Sequence, residues 1–281
     1  MENDFQKAKL LTEVGTALIR MRQRRPLIHH ITNFVTMNDC ANVTLAAGAS
    51  PVMTFAVEEV VEMAAAAAAL VLNMGTLQQW TFDAMVLAGT EAARRGIPIV
   101  LDPVGAGGTA FRTQAVRRLL ERLPIAVIRG NLSEISCLAG YTDSAYAGVD
   151  NLLSCTMTVP LAEELSHKLG TVIAVTGPID AVSDGRRTVL LGNGCPMLPY
   201  VTGTGCMTTS ITACMATAAD PFVAATGAVM TMGIAGELAQ LTVGAEGPGT
   251  LHAHLMDWVY KMSQRLYDSY GKVLEYHESS D

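Results

Sequence analysis

The stretch EAARRGIPIVLDPVGAGG, Glu91 to Gly108, decides how this chain folds. A helical pattern ends with Arg94 and Arg95 in its last turn, where cations meet the carbonyl end of the helix dipole, and Gly96 stops it. The run that follows, IPIVLDP (Ile97 to Pro103), is short, apolar and rich in β-branched residues. Such a run reads as a strand buried on both faces. It closes on Asp102 and Pro103, and VGAGG (Val104 to Gly108) turns the chain back. The same order recurs on either side. LVLNMG (Leu70 to Gly75) follows the alanine-rich segment Val57 to Ala69, whose helix propensity is high. IAVIRGN (Ile125 to Asn131) follows AVRRLLERL, and TVIAVTG (Thr171 to Gly177) follows LAEELSHKLG.

Helices alternating with buried strands predict an α/β architecture, with a mostly parallel central sheet and helices on both faces. Beyond Gly177 the pattern changes: AVSDGRRTVLLGNG predicts a hairpin turning at Asp184-Gly185. Helices are expected over Gly205 to Ala219, Pro221 to Leu241, and Gly249 to about Tyr270. No internal repeat or linker divides the chain, so residues 1–281 are expected to form a single domain.

Half of the 281 residues are hydrophobic and 16% are charged, enough for a large core. The net charge of −7 argues against a broad nucleic-acid footprint, which needs a basic stripe. The six cysteines form no CxxC pair and no zinc spacing, which points to a reducing, cytoplasmic setting. The polar N-terminus, MENDFQKAKLLTEVG, does not read as a signal peptide. Phe222 to Leu241 is built of Ala, Gly, Thr and Met and carries Glu237, so it reads as a core helix and no membrane span is expected.

Parallel α/β sheets bind ligands at the carboxyl ends of their strands. Asn73, Asp102, Arg129 and Thr176 close successive runs there, with Asn131 and Glu134 just beyond. Arg129 offers the paired donors that suit phosphate. Asp102 and Glu134 are candidate Mg²⁺ holders, directly or through water, although Glu134 also sits where it would cap a helix. In VTGTGC (Val201 to Cys206) the glycines permit close backbone approach ahead of a helix whose first N–H groups are unpaired. That makes an anion seat. Neither a Walker-type loop nor GxGxxG spacing is present.

These motifs, in their order, resemble the hydroxyethylthiazole kinase family of the ribokinase-like superfamily. The resemblance runs from about Pro26 to Leu255 through HHITNFVTMNDCAN, GASPVM, LVLNMGTL, LDPVGAG, IRGNLSEI, GVD (Gly148 to Asp150), VTG, VTGTGC and EGPGT. It implies ATP-dependent phosphorylation of the hydroxyl of 4-methyl-5-(2-hydroxyethyl)thiazole in thiamine biosynthesis, with Mg²⁺. It implies that Arg129 and Thr176 bind ATP phosphates and that Asp102 and Glu134 lie near the metal. Met53 and Gly203 would contact the thiazole, and Asn33 and Val35 would line its pocket. A homotrimer with the site at a subunit boundary is implied as well. Gly203, Gly205 and Cys206 would form the transfer centre. Cys206 stands where related sugar and pyrimidine kinases carry an aspartate base. A thiol at a helix N-terminus can have its pKa lowered, and Cys206 is expected chiefly to orient the acceptor hydroxyl, with base catalysis secondary. The chain departs from the pattern at Pro178, Tyr200 and Thr204.

The alternative is another ribokinase-like kinase, such as a hydroxymethylpyrimidine phosphate kinase, which would want aspartate at position 206. A non-catalytic module should have lost Asp102, Arg129 or the glycine loop, and a metal-dependent hydrolase would need a histidine-rich ligand set. His29 and His30 would point to opposite faces of a strand, at least one of them structural. His252 and His254 form a weak HxH metal hint, read instead as helical. The basic cluster Arg20 to Arg25 reads as a solvated helix end.

Overall fold

The computed structural model describes residues 2–141, 151–244 and 246–279; the GVD motif lies outside the described residues. One sheet of nine strands runs through it in the order β2-β1-β3-β4-β5-β6-β7-β8-β9. The first six strands are β1 (Leu27–Ile31), β2 (Ser50–Met53), β3 (Ala69–Asn73), β4 (Ile99–Asp102), β5 (Val127–Asn131) and β6 (Val172–Thr176). They pair in parallel. Then β7 (Asp180–Ser183), β8 (Arg187–Leu191) and β9 (Val273–Glu278) continue the sheet antiparallel.

The period-two alternation of the strands divides the core. Val71, Val100, Val127, Val172 and Ala174 face one layer, together with α1 (Glu2–Arg24), α2 (Met37–Ala47), α8 (Thr204–Ala216), α9 (Pro221–Val243), α10 (Pro248–Lys261) and α11 (Gln264–Tyr270). Leu70, Leu72, Leu101, Ile128, Ile173 and Val175 face the other. That layer holds α3 (Val60–Ala66), α4 (Gln79–Arg95), α5 (Ala110–Arg122), α6 (Leu132–Ala139) and α7 (Asn151–Leu169). Strands covered on both faces are apolar throughout, which is why β3 and β4 are buried at every residue.

The hairpin turns at Asp184-Gly185, where Gly185 has φ +87° and Asp184 accepts from the N–H groups of Arg186 and Arg187. Gly96 ends α4 in the left-handed conformation as its position suggested. The apolar helix α9 is long enough to cross a membrane, but 94% of its apolar window is buried inside the fold. It is a core helix.

Four features differ from the sequence reading. The helix expected over Val57 to Ala69 is confined to Val60–Ala66, because Ala67 is already extended and the chain turns into β3 at Ala69. Strands β1 and β2 extend the sheet beyond β3, with β1 between β2 and β3, although LIHHI hides its strand character behind two histidines. Both histidines are buried in the framework: His29 bonds Thr54 and His30 bonds the Ile28 carbonyl. The segment expected as one helix to Tyr270 breaks at Met262, whose extended backbone separates α10 from α11. Strand β9 then closes the sheet edge through pairing with β8 alone.

Arg22 has a larger role than a solvated helix end. Its guanidinium donates to the carbonyls of Ala47, Val259, Tyr260 and Met262 at 2.7–3.0 Å, capping the C-termini of α2 and α10 together. Hydrogen bonds from a charged donor are among the stronger ones, so Arg22→Met is expected to cost about 3 kcal/mol of stability. Urea denaturation checks this, and an unchanged midpoint would show the caps to be dispensable.

Candidate active site

The carboxyl ends of β1, β3, β4, β5 and β6 meet at one edge of the sheet. Register sets Asn73 beside Asp102 and Asn131 beside Thr176. The N-terminus of α8 lands on this edge. Its cap residue, Gly203, adopts φ +85° and supplies no side-chain bond, so the first N–H groups of α8 face outward unpaired. A Cβ on Gly203 would lie 2.5 Å from Thr36 Cγ2, so only glycine lets this loop rest on the β1–α2 turn.

Asp102 lies fully buried beneath α8. Its Oδ2 accepts from Thr209 Oγ1 at 2.8 Å and from Asn73 Nδ2 at 2.9 Å, while Oδ1 has no hydrogen-bond partner. Arg129 Nη1 stands 3.9 Å from Asp102 Oδ2, and Nη2 donates to the Thr176 hydroxyl. The guanidinium lies flat against the first turn of α8: a Cβ on Gly205 would be 2.3 Å from Nη1. Cys206 Sγ receives Asn73 Nδ2 at 3.2 Å and Asn33 Nδ2 at 3.5 Å.

Asp102, Arg129, Thr176, Gly203, Gly205, Cys206 and Asn33 are therefore gathered at one place. Glu134 sits to the side and caps α6: Oε2 accepts from Asn131 N and Oε1 from Gly105 N, both at 2.9 Å. Capping and a place near the metal are compatible, because both carboxylate oxygens keep a lone pair. The polar atoms of Asn33 are already engaged, its Oδ1 accepting from Val35 N, Thr36 N and Thr36 Oγ1. Its contribution to a pocket is thus to shape the loop. Met53 ends β2 at the same sheet edge, half-buried, and Val35 is 65% exposed. Around them Phe34, Phe55 and Trp80 form an aromatic cluster with centroids 5.9 and 6.1 Å apart.

On the other side of α8 opens a cavity of about 810 Å³, walled by Arg129, Thr176, Asp180, Gly194, Gly205 and Met232. Sequence reasoning did not single out Asp180, Thr209 or Thr36. The only available signals were the position of Asp180 four residues after Thr176 and of Thr209 one turn after Gly205. His252 pairs with Asp39 and His254 with Asp257, so HxH faces two different partners.

Burial pushes the Asp102 carboxyl up to about 6, against the opposing pull of Arg129. Burial raises Asp180 to about 7, partly offset by the Gly177 N–H and Arg129. Cys206 is shifted away from the thiolate. Burial, and then the neighbouring Asp102, raise its pKa above the ordinary thiol value, outweighing the Thr36 and Asn73 hydrogen bonds that favour the thiolate. The helix terminus does not prevail over desolvation, so the thiol is protonated at neutral pH.

Asp180 carries a pH consequence. In the native state it keeps its proton to about pH 7, whereas its ordinary value is 3.8. The native state therefore binds more protons than the unfolded chain between these values, and stability falls as pH rises through that window. Asp102 acts in the same direction. Asp180→Asn is expected to recover on the order of a few kcal/mol at pH 8 relative to pH 5. Urea midpoints at the two pH values test it, and an equally steep profile in the variant would contradict it.

No group of three or more His, Cys, Asp or Glu residues able to hold a metal occurs among the described residues. The fit is instead to magnesium, which keeps several waters and takes much of its shell from phosphate oxygens. The unpartnered, buried Asp102 Oδ1 is the protein oxygen that such an ion would use.

A mostly parallel sheet covered by helices on both faces, with a helix terminus set over its carboxyl edge, is a ribokinase-like fold. In keeping with this class, a ribokinase-like superfamily protein from Enterococcus faecalis shares the fold, with a TM-score of 0.62 at 13% identity over 86% of this chain and 89% of that one. Residues 18–265 match the hydroxyethylthiazole kinase family, and the chain belongs to that family. A hydroxyethylthiazole kinase from Methanoculleus marisnigri is 50% identical over 241 residues, 85% of each chain. The structure of a hydroxyethylthiazole kinase from Pyrococcus horikoshii superposes with a TM-score of 0.86 at 42% identity, over 95% of this chain and 99% of that one.

Proposed function

We propose that the chain transfers the γ-phosphoryl group of ATP to the primary hydroxyl of 4-methyl-5-(2-hydroxyethyl)thiazole, a step of thiamine biosynthesis. The observation that carries this reading is the α8 terminus, with its unpaired amides between the cavity that lodges Arg129 and Thr176 and the opposite side bearing Gly203 and Cys206. ATP occupies the cavity, its phosphates on Arg129, Thr176 and the Gly205 amide. The thiazole lies beyond α8, against Gly203, Met53 and the Asn33–Val35 loop. A flat, soft ring suits a thioether and aromatic neighbours.

Phosphoryl transfer passes through a loose transition state, so positioning and charge neutralisation supply most of the rate. The outward amides and Arg129 are already oriented toward developing negative charge. Magnesium, held by Asp102 and near Glu134, would neutralise phosphate charge. Cys206, being protonated, holds the acceptor hydroxyl rather than abstracting its proton. The exposed aromatic cluster of Phe34 and Trp80 beside the thiazole side supports a subunit boundary there, as in a homotrimer. The enzyme is assigned to the cytoplasm.

The test is purified protein with Mg-ATP and a panel of alcohols including hydroxyethylthiazole and hydroxymethylpyrimidine phosphate, with products detected by mass. Phosphorylation of the thiazole is expected; turnover of the pyrimidine alone would favour the alternative kinase. Cys206→Ala should slow turnover about tenfold while ATP affinity, measured by calorimetry, stays the same. Undiminished turnover would remove the thiol from the mechanism.

A further inference from the structure

Asn73 closes β3 and is buried, and every polar atom of its carboxamide has two partners. Oδ1 accepts from Gly75 N at 2.9 Å and from Asn33 Nδ2 at 3.0 Å. Those two donors fix which way the amide faces, so Nδ2 must point at Asp102 Oδ2 and Cys206 Sγ, 2.9 and 3.2 Å away. Two donors and two acceptor sites are all that a carboxamide has. One side chain thus ties the β1–α2 loop, the buried aspartate and the thiol of α8 into a single unit.

We infer that Asn73 is the positioning residue of the transfer centre: with Asn33 it clamps Cys206 Sγ by N–H donation, so that the S–H bond points out toward the acceptor hydroxyl. This rests on the kinase reading above and deepens it. A thiol with free rotation about its Cβ–Sγ bond would hold the hydroxyl in several orientations. Two carboxamide N–H groups directed at Sγ, with the Thr36 hydroxyl as its third neighbour, select one of them, and the S–H is left to point away from both amides. The same Nδ2 group holds Asp102 Oδ2, which leaves Oδ1 as the free oxygen. Asn73 therefore orients both the thiol and the carboxylate from behind, without itself reaching the substrate. A position that requires two donors and two acceptors in one short side chain is met by asparagine and not by aspartate or serine.

The test has a kinetic and a spectroscopic arm. Asn73→Ala is expected to lower kcat about 10- to 100-fold, as misplacement of reacting groups does, with KM for ATP within about twofold of the parent. In the Cys206→Ala background the same substitution should cost less, because the part that acts through the sulfur is already gone and only the part that acts through Asp102 remains; a purely structural role would add independently. For the second arm, cysteines are labelled with ¹³C at Cβ, and the Cys206 resonance is assigned by its loss in Cys206→Ala. Asn73→Ala should shift or broaden that resonance while the Cys195 signal stays in place. Where Asn73→Ala does not fold, Asn73→Leu serves, since it has nearly the shape of asparagine but lacks both donors. A Cys206 resonance unmoved in either folded variant, or fully additive losses in the cycle, would overturn the inference. The NMR arm needs no turnover, so failure of the parent enzyme on the thiazole would sink the substrate assignment and leave this result standing on its own.

Discussion

Arg129→Ala is expected to lower kcat/KM about a thousandfold, the low end of what a single arginine contributes to phosphoryl transfer. Its guanidinium is set between Asp102, the Thr176 hydroxyl and the α8 terminus, and it lines the cavity assigned to ATP. Lysine should restore little, because a point charge cannot bond Thr176 and lie flat on Gly205 at once. The substitution also removes the charge that offsets burial of Asp102. The aspartate pKa should then rise further, so the stability lost relative to the parent should be larger at pH 8 than at pH 5.5. Steady-state kinetics and denaturation at both pH values measure the two effects. A variant within tenfold of the parent would show that the phosphate charge is met elsewhere.

Gly205→Ala should separate activity from folding. The added methyl would stand 2.3 Å from Arg129 Nη1 and 2.8 Å from Cζ, and these atoms are all at the free end of a flexible side chain. The guanidinium can swing away, so the fold survives, and alanine in place of glycine favours the helix by up to about 1 kcal/mol. What is lost is the alignment of Arg129 with Thr176 and the outward amides. We expect kcat to fall about a hundredfold, the scale of a displacement of about 1 Å at a reacting centre, with the melting temperature unchanged or slightly raised. Loss of activity together with loss of the fold would mean that Arg129 cannot move.

Much of the architecture was legible because buried parallel strands have no polar face to disguise them. β4, β5 and β6 lie within the runs Ile97 to Pro103, Ile125 to Asn131 and Thr171 to Gly177, and β3 begins one residue before its run, at Ala69. The hairpin was legible because Asp184-Gly185 carries its turn chemistry locally. β1 was not, because His29 and His30 break the apolar run and find their partners, Thr54 and Ile28, only after folding. β9 was not, because its pairing depends on β8, more than eighty residues earlier by number. The break at Met262 belongs with it, since the carbonyls freed there are taken by Arg22 from the other end of the chain.

By itself the sequence determined the alternating layers, the strand ends that carry Asp102, Arg129 and Thr176, and the glycine loop before α8, because periodicity, glycine and charge are local properties. Only the tertiary structure decided the state of Cys206 and the function of Asn73. Desolvation and the nearby Asp102 reverse the effect of the helix terminus on the thiol, and four hydrogen bonds from separate segments converge on one amide. Both depend on how much water is excluded and on which distant atoms arrive, and neither quantity exists until the chain has packed.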